Sequence, residues 1–133
     1  MGGMNGVFAR VDRIADLIAA GLDPAVGSRM EREQPALRYL YHHIGALNAD
    51  LDRGALLGQL VALRTTPPSA LAALRMPVLC VVGAEDAVIP PESVALLASR
   101  IPGARLARVP ETGHSVYFER AAAFNRLLDD FLP

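Results

Sequence analysis

One aspartate and one histidine in this sequence stand where they could work on each other. Asp86 follows the apolar run Val78-Leu79-Cys80-Val81-Val82-Gly83, in a loop that ends at Pro90-Pro91. His114 follows a second short run, Arg105-Leu106-Ala107-Arg108-Val109, after Pro110-Glu111-Thr112-Gly113. A carboxylate beside an imidazole accepts a hydrogen bond from one ring nitrogen, fixes the tautomer and stabilises the imidazolium. The other ring nitrogen can then act as general base on a nucleophile. Gly113 lets the loop turn tightly and keeps the imidazole accessible. Taken singly, such an aspartate is usually a turn-former or helix cap, and such a histidine is structural or solvated. Their joint placement after successive strands points to chemistry. In a parallel sheet both loops open beyond the carboxyl ends of the strands, where α/β proteins place their sites.

The elements that must position the pair are readable from patterning. Residues 78–82 form a continuous apolar run, which suits a parallel strand covered on both faces. Residues 91–101 read as a helix with Pro91 at its start and Pro102-Gly103 as its stop. A strand at 105–109, a loop at 110–115 and an amphipathic helix at 118–132 follow. Upstream, apolar positions recur at helical spacing over 7–20, from near Pro35 to Leu47, and over 52–64. Gly21 ends the first of these helices. Thr65-Thr66-Pro67-Pro68 breaks the third, and 69–74 forms a short helical turn. The chain therefore divides into a helical segment, 1–75, and a β-α-β-α unit, 76–133. A right-handed crossover would make the two strands neighbours. Two strands are few for a parallel sheet, so more sheet is expected to complete it.

Composition narrows the function. The 133 residues suffice for one small domain with a core, and 52% hydrophobic content excludes disorder. The net charge is −1 with no basic run, so neither nucleic acid nor an anionic membrane is an expected partner. All 13 basic residues are arginine, a compositional habit rather than a site. No apolar run approaches the ~18 residues that a membrane helix needs. The N-terminus lacks a charged region followed by an apolar one, so no signal peptide is expected and the expected compartment is the cytoplasm. The single cysteine, Cys80, lies in the first strand, where a buried and inert thiol is expected. His42 and His43 are adjacent on a helix and point about 100° apart, so they do not form a metal pair. No metal or cofactor is expected. Glu85 is a secondary candidate for the acid, and Ser115 is expected to cap or line the pocket.

The C-terminal half resembles the α/β-hydrolase fold family, most closely its lactonase, haloperoxidase and carbon–carbon-bond hydrolase branch. The resemblance rests on Pro77-Val78-Leu79-Cys80-Val81-Val82-Gly83-Ala84-Glu85-Asp86 with Val88, Ile89 and Pro90. It rests also on Pro110-Glu111-Thr112-Gly113-His114, and on Phe124-Asn125-Arg126-Leu127-Leu128-Asp129-Asp130-Phe131-Leu132. It implies that Asp86 is the triad acid and His114 the triad base, in the family's order of acid before histidine. It implies a partial α/β-hydrolase fold, with 1–75 as a helical cap-like segment whose apolar inner face would favour a small hydrophobic ester- or lactone-like substrate. The family's nucleophile sits in a Gly-x-Ser-x-Gly elbow. None of Ser28, Ser69, Ser93, Ser99 and Ser115 has glycine at both −2 and +2, and neither Cys80 nor any aspartate does. The resemblance therefore implies that the nucleophile and the oxyanion loop come from residues or a chain outside this sequence. Two functions follow as expectations. The chain carries the acid and base of an ester- or lactone-hydrolysing enzyme, or it is a non-catalytic remnant that acts as an interaction module and pairs its open sheet edge with a second copy or a partner chain.

Overall fold

The computed structural model describes residues 13–65 and 67–133. The expected helix over 7–20 lies partly outside the described residues; its described part, α1, covers 13–19. Gly21 closes it at φ 74°, with Leu22 N–H on the Leu17 carbonyl and Gly21 N–H on the Ile18 carbonyl. That bond pair is the glycine-dependent helix stop that residue Gly21 predicts.

Three helices follow: α2 (Ser28–Glu33), α3 (Pro35–Ala46) and α4 (Arg53–Ala62). Pro35 opens α3, as expected of a residue whose missing N–H costs nothing in the first turn. Asp52 caps α4 by accepting Ala55 N–H at 2.9 Å. A 3₁₀ turn at Pro68–Ala73 leads to the strand β1 (Leu79–Gly83). The helix α5 (Pro91–Ser99) crosses to β2 (Arg105–Val109). The two strands pair in parallel, with Leu79 opposite Arg105 and Gly83 opposite Val109. Their ends are therefore level, and the loops that leave them start side by side.

Two expectations need correction. The segment 28–33 is helical, although no helix is expected between Gly21 and Pro35. The closing helix is two helices, α6 (Val116–Glu119) and α7 (Ala121–Asp129), separated at Arg120 by φ −134° and ψ 48°. The break separates the short helix carrying buried Val116 and Glu119 from the amphipathic α7.

The core lies where β1, α5, α6 and segment 25–30 meet. Val26, Met30, Cys80, Val82, Ala87, Ala98, Ile101, Val109 and Val116 are buried there. Cys80 is a buried free thiol. On β1 burial alternates, with Cys80 and Val82 buried and Leu79 and Val81 half-buried, while β2 is mostly exposed up to Val109. Among the described residues these two strands form the whole sheet. No described helix is long and apolar enough to cross a membrane.

Candidate active site

The loops after β1 and β2 are sewn together by backbone. Ala84 N–H donates to the Val109 carbonyl at 2.9 Å, and Glu85 N–H donates to the Thr112 carbonyl at 3.0 Å. Thr112 is fully buried and turns its hydroxyl onto the Pro110 carbonyl at 2.8 Å. Glycine makes this contact possible. A β-carbon on Gly83 would overlap the carbonyl oxygens of Gly113 and Thr112. Backbone this close cannot accept a side chain.

Within that frame Asp86 is buried, and both of its carboxylate oxygens are engaged. Oδ1 accepts Val88 N–H and Ile89 N–H, each at 2.8 Å. This is a side-chain turn of the kind Asp readily makes. Oδ2 lies 2.9 Å from His114 Nδ1. An ionised carboxylate can only accept, so the proton of this bond sits on Nδ1. In the neutral ring Nε2 then carries the lone pair. The carboxylate is shut in and the imidazole is not: side-chain exposure is 5% for Asp86 and 38% for His114. A buried carboxylate thus holds an accessible imidazole. His114 is also fixed through its backbone, its N–H donating to the Ala25 carbonyl at 2.9 Å.

The structure separates Asp86 from its neighbour Glu85. The Glu85 carboxylate takes Ser28 N–H at 2.6 Å and Ser28 Oγ at 2.9 Å. It caps the start of α2 from another part of the chain, where a negative charge is favourable. Ser115 is buried and pairs with the Tyr41 hydroxyl at 3.1 Å, which docks α3 over the histidine loop together with the Tyr41–Phe118 ring contact. An open cleft of about 840 Å³ runs between them, lined by Ala25, Tyr41, Ile44, Ser115 and Phe118, with Asp23, His42 and Arg53 among its polar residues. His42 and His43 point apart as expected: His42 lies 3.7 Å from Asp23, while His43 stacks on Tyr39 and bonds its carbonyl. Among the described residues no group of three His, Cys, Asp or Glu could hold a metal ion.

One buried acid escaped the sequence reading. Glu119 accepts Gly27 N–H at 2.9 Å and Gly113 N–H at 3.0 Å. Burial pushes its carboxyl above the usual value of 4.5, against the backbone bonds from Gly27, Gly113 and Ser115 that favour the charged form; the nearby Glu85 charge adds to the upward push. The only sequence signal was a charged residue within an otherwise apolar helical turn, Val116-Tyr117-Phe118-Glu119.

A family model for the alpha/beta hydrolase fold matches residues 13–121. The chain belongs to the α/β-hydrolase fold family. Among solved structures, the family member superposes on Est816, an N-acyl homoserine lactone degrading enzyme, with a TM-score of 0.69 and 26% identity; the match covers 99% of this chain and 52% of that one. A thermophilic esterase from Thermogutta terrifontis shares the fold at a TM-score of 0.72 and 24% identity, over 93% of this chain and 47% of that one. Polyketide synthase ThaQ from Burkholderia thailandensis is 39% identical over 83 residues, which are 62% of this chain and 4% of that protein. The α/β-hydrolase chain thus spans about half the length of the solved relatives and a small fraction of the curated one.

Proposed function

We propose that this α/β-hydrolase chain supplies the acid and base of an ester- or lactone-hydrolysing site. The observation that carries the reading is the 2.9 Å contact of His114 Nδ1 with a buried Asp86 whose other oxygen is held by two backbone N–H groups. In this reading Asp86 fixes the tautomer and stabilises the imidazolium, and Nε2 takes the proton of a nucleophile. The nucleophile and oxyanion donors come from residues beyond this sequence. Without them His114 has only water to activate, and hydrolysis would be very slow. The helices before residue 76 act as a cap-like segment whose apolar inner face favours a small hydrophobic ester or lactone. A single buried, unpaired thiol suits a reducing compartment such as the cytoplasm.

The test is hydrolysis of a short-chain aryl ester and a γ-lactone by the natural full-length product, with and without His114→Ala. The variant should stay folded and lose at least about a hundredfold in kcat/KM, the usual share of a general base. Full activity in the folded variant would sink the assignment.

A second reading is favoured by one observation. Leu56, Leu57, Leu60 and Val61 of α4 are all exposed, and no residue of α4 is buried. Apolar patches of that kind mark interaction sites. In this reading the chain is a non-catalytic module that associates with a second copy through α4 and the open sheet edge.

A further inference from the structure

Nothing in the proposed chemistry uses Glu119, yet its side chain sits at the mechanical centre of the histidine loop. Two of the N–H groups that it accepts, those of Gly27 and Gly113, belong to segments distant from each other in the chain, 25–27 and 113–114. These segments cross at glycine. A β-carbon on Gly113 would lie 2.5 Å from the Ala25 carbonyl oxygen and 2.7 Å from Gly27 N; one on Gly27 would lie 2.6 Å from Gly113 N. Both buried N–H groups therefore need an acceptor that reaches the crossing from the side. One carboxylate, with an oxygen for each, meets that need. An amide would not, because its NH2 would present hydrogen to an N–H, and a neutral carboxyl keeps only the weaker acceptor of its hydroxyl oxygen on that side.

The same crossing carries His114. Its own N–H is bonded to Ala25, two residues before Gly27, and Gly113 precedes it directly. Glu119 N–H returns to the Ser115 carbonyl at 2.9 Å, so the loop is closed on both sides of the histidine. We propose that Glu119 is a positioning residue: its carboxylate clamps loop 113–114 to segment 25–27 and thereby holds the imidazole of His114 on Asp86. Glu119 acts through the backbone. Among the described residues, the charged group that bears on it is Glu85, across the start of α2. The term positioning rests on the reading of His114 as a base. The clamp itself does not, and its test needs no turnover.

The test uses the ¹³C,¹⁵N-labelled natural full-length product. Long-range ¹⁵N–¹H spectra report the imidazole tautomer, with the His114 signals assigned by their loss in His114→Gln. The wild-type ring should be protonated on Nδ1. Glu119→Gln keeps the volume and removes one acceptor. It should shift the ring towards the Nε2-protonated form and speed amide exchange at Gly27 or Gly113 at least tenfold, while the remaining dispersed amides stay in place. A merely structural role would lower stability and leave the tautomer alone. A folded Glu119→Gln with an unchanged ring overturns the proposal. Should that variant fail to fold, acid titration of the wild type decides it: the Gly27 and Gly113 amides and the His114 Nδ1–H signal should all follow the Glu119 carboxyl carbon, and independent titration overturns the clamp. Loss of the catalytic reading would appear elsewhere, as full turnover in His114→Ala, and would leave these spectra unchanged.

Discussion

Gly83, the last residue of β1, lies so close to Gly113 that a β-carbon on it would overlap the Gly113 carbonyl oxygen. The acid loop and the histidine loop are thus interlocked backbone to backbone, and the distance between Asp86 and His114 is set by that contact rather than by side-chain packing. Gly83→Ala should cost about 3 kcal/mol, since a backbone oxygen cannot rotate out of the way of an inserted methyl. Urea denaturation of the two chains measures it. An unchanged midpoint would mean that the loops are not held in this register.

Asp86 serves the turn and the imidazole with different oxygens, and two variants separate the roles. Asp86→Ala leaves the N–H groups of Val88 and Ile89 without their acceptor, at a cost of about 2–4 kcal/mol. Asp86→Asn keeps an oxygen for the turn and should lose clearly less. It presents an amide to His114, which forces the ring into the other tautomer. Calorimetric unfolding of both variants checks the ranking, and equal losses would contradict it.

The pair was legible in the sequence because strand chemistry and loop placement agree at each end. An apolar strand followed by Gly83 and Asp86, and a strand followed by Gly113 and His114, need only one parallel register to meet. Helix α2 was not legible. Ser28-Arg29-Met30-Glu31-Arg32-Glu33 contains one apolar residue and shows no period. Its start is held by two carboxylates from distant parts of the chain, Glu85 on Ser28 and Glu119 on Gly27. The break at Arg120 was hidden for a related reason, as neither glycine nor proline marks it. Nothing in the local pattern marks Glu119 either, since it falls within the span expected as one amphipathic helix. What fixes these three features is tertiary, and local patterning does not report it.

Burial of Glu119 has a sign that can be measured. Its folded carboxyl titrates above the ordinary 4.5. Its contribution to stability is therefore full below that value and is lost as the pH rises through the folded pKa. Glu119→Gln has no such group. The stability of wild type minus that of Glu119→Gln should fall as the pH is raised from below 4.5 to neutrality, whatever constant offset the lost acceptor adds. Denaturant unfolding across that range gives the difference. A flat or rising curve would show that the backbone bonds outweigh desolvation.

Glu111 is the one described non-glycine residue at positive φ, 51°. It turns the chain from β2 into the histidine loop, and its side chain offers only an exposed contact with Arg32 at 3.5 Å. Such a surface pair contributes little. The left-handed backbone costs a non-glycine residue about 1–2 kcal/mol. Glu111→Gly should therefore raise the thermal midpoint, corresponding to roughly 0.5–1 kcal/mol after the greater chain entropy of glycine is subtracted. A lower midpoint would show that the Glu111 side chain holds the loop.

Helix α4 bears on the choice between the two functional readings. It spans ten residues from Arg53 to Ala62, and an isolated helix of that length is marginal in water even with a good cap. Asp52 supplies the cap, yet no residue of α4 is buried. Leu57, Leu60 and Val61 share one face at spacings of three and four and are all exposed. If that face is covered by a second copy, the chain should sediment as an associated species at micromolar concentration. Leu57→Glu with Val61→Glu should then return it to a monomer, because two charges one turn apart would be buried unpaired in the contact. Far-UV circular dichroism of the dissociated variant should show reduced helix, since the apolar face was its support. A wild type that sediments as a monomer would remove the self-association reading.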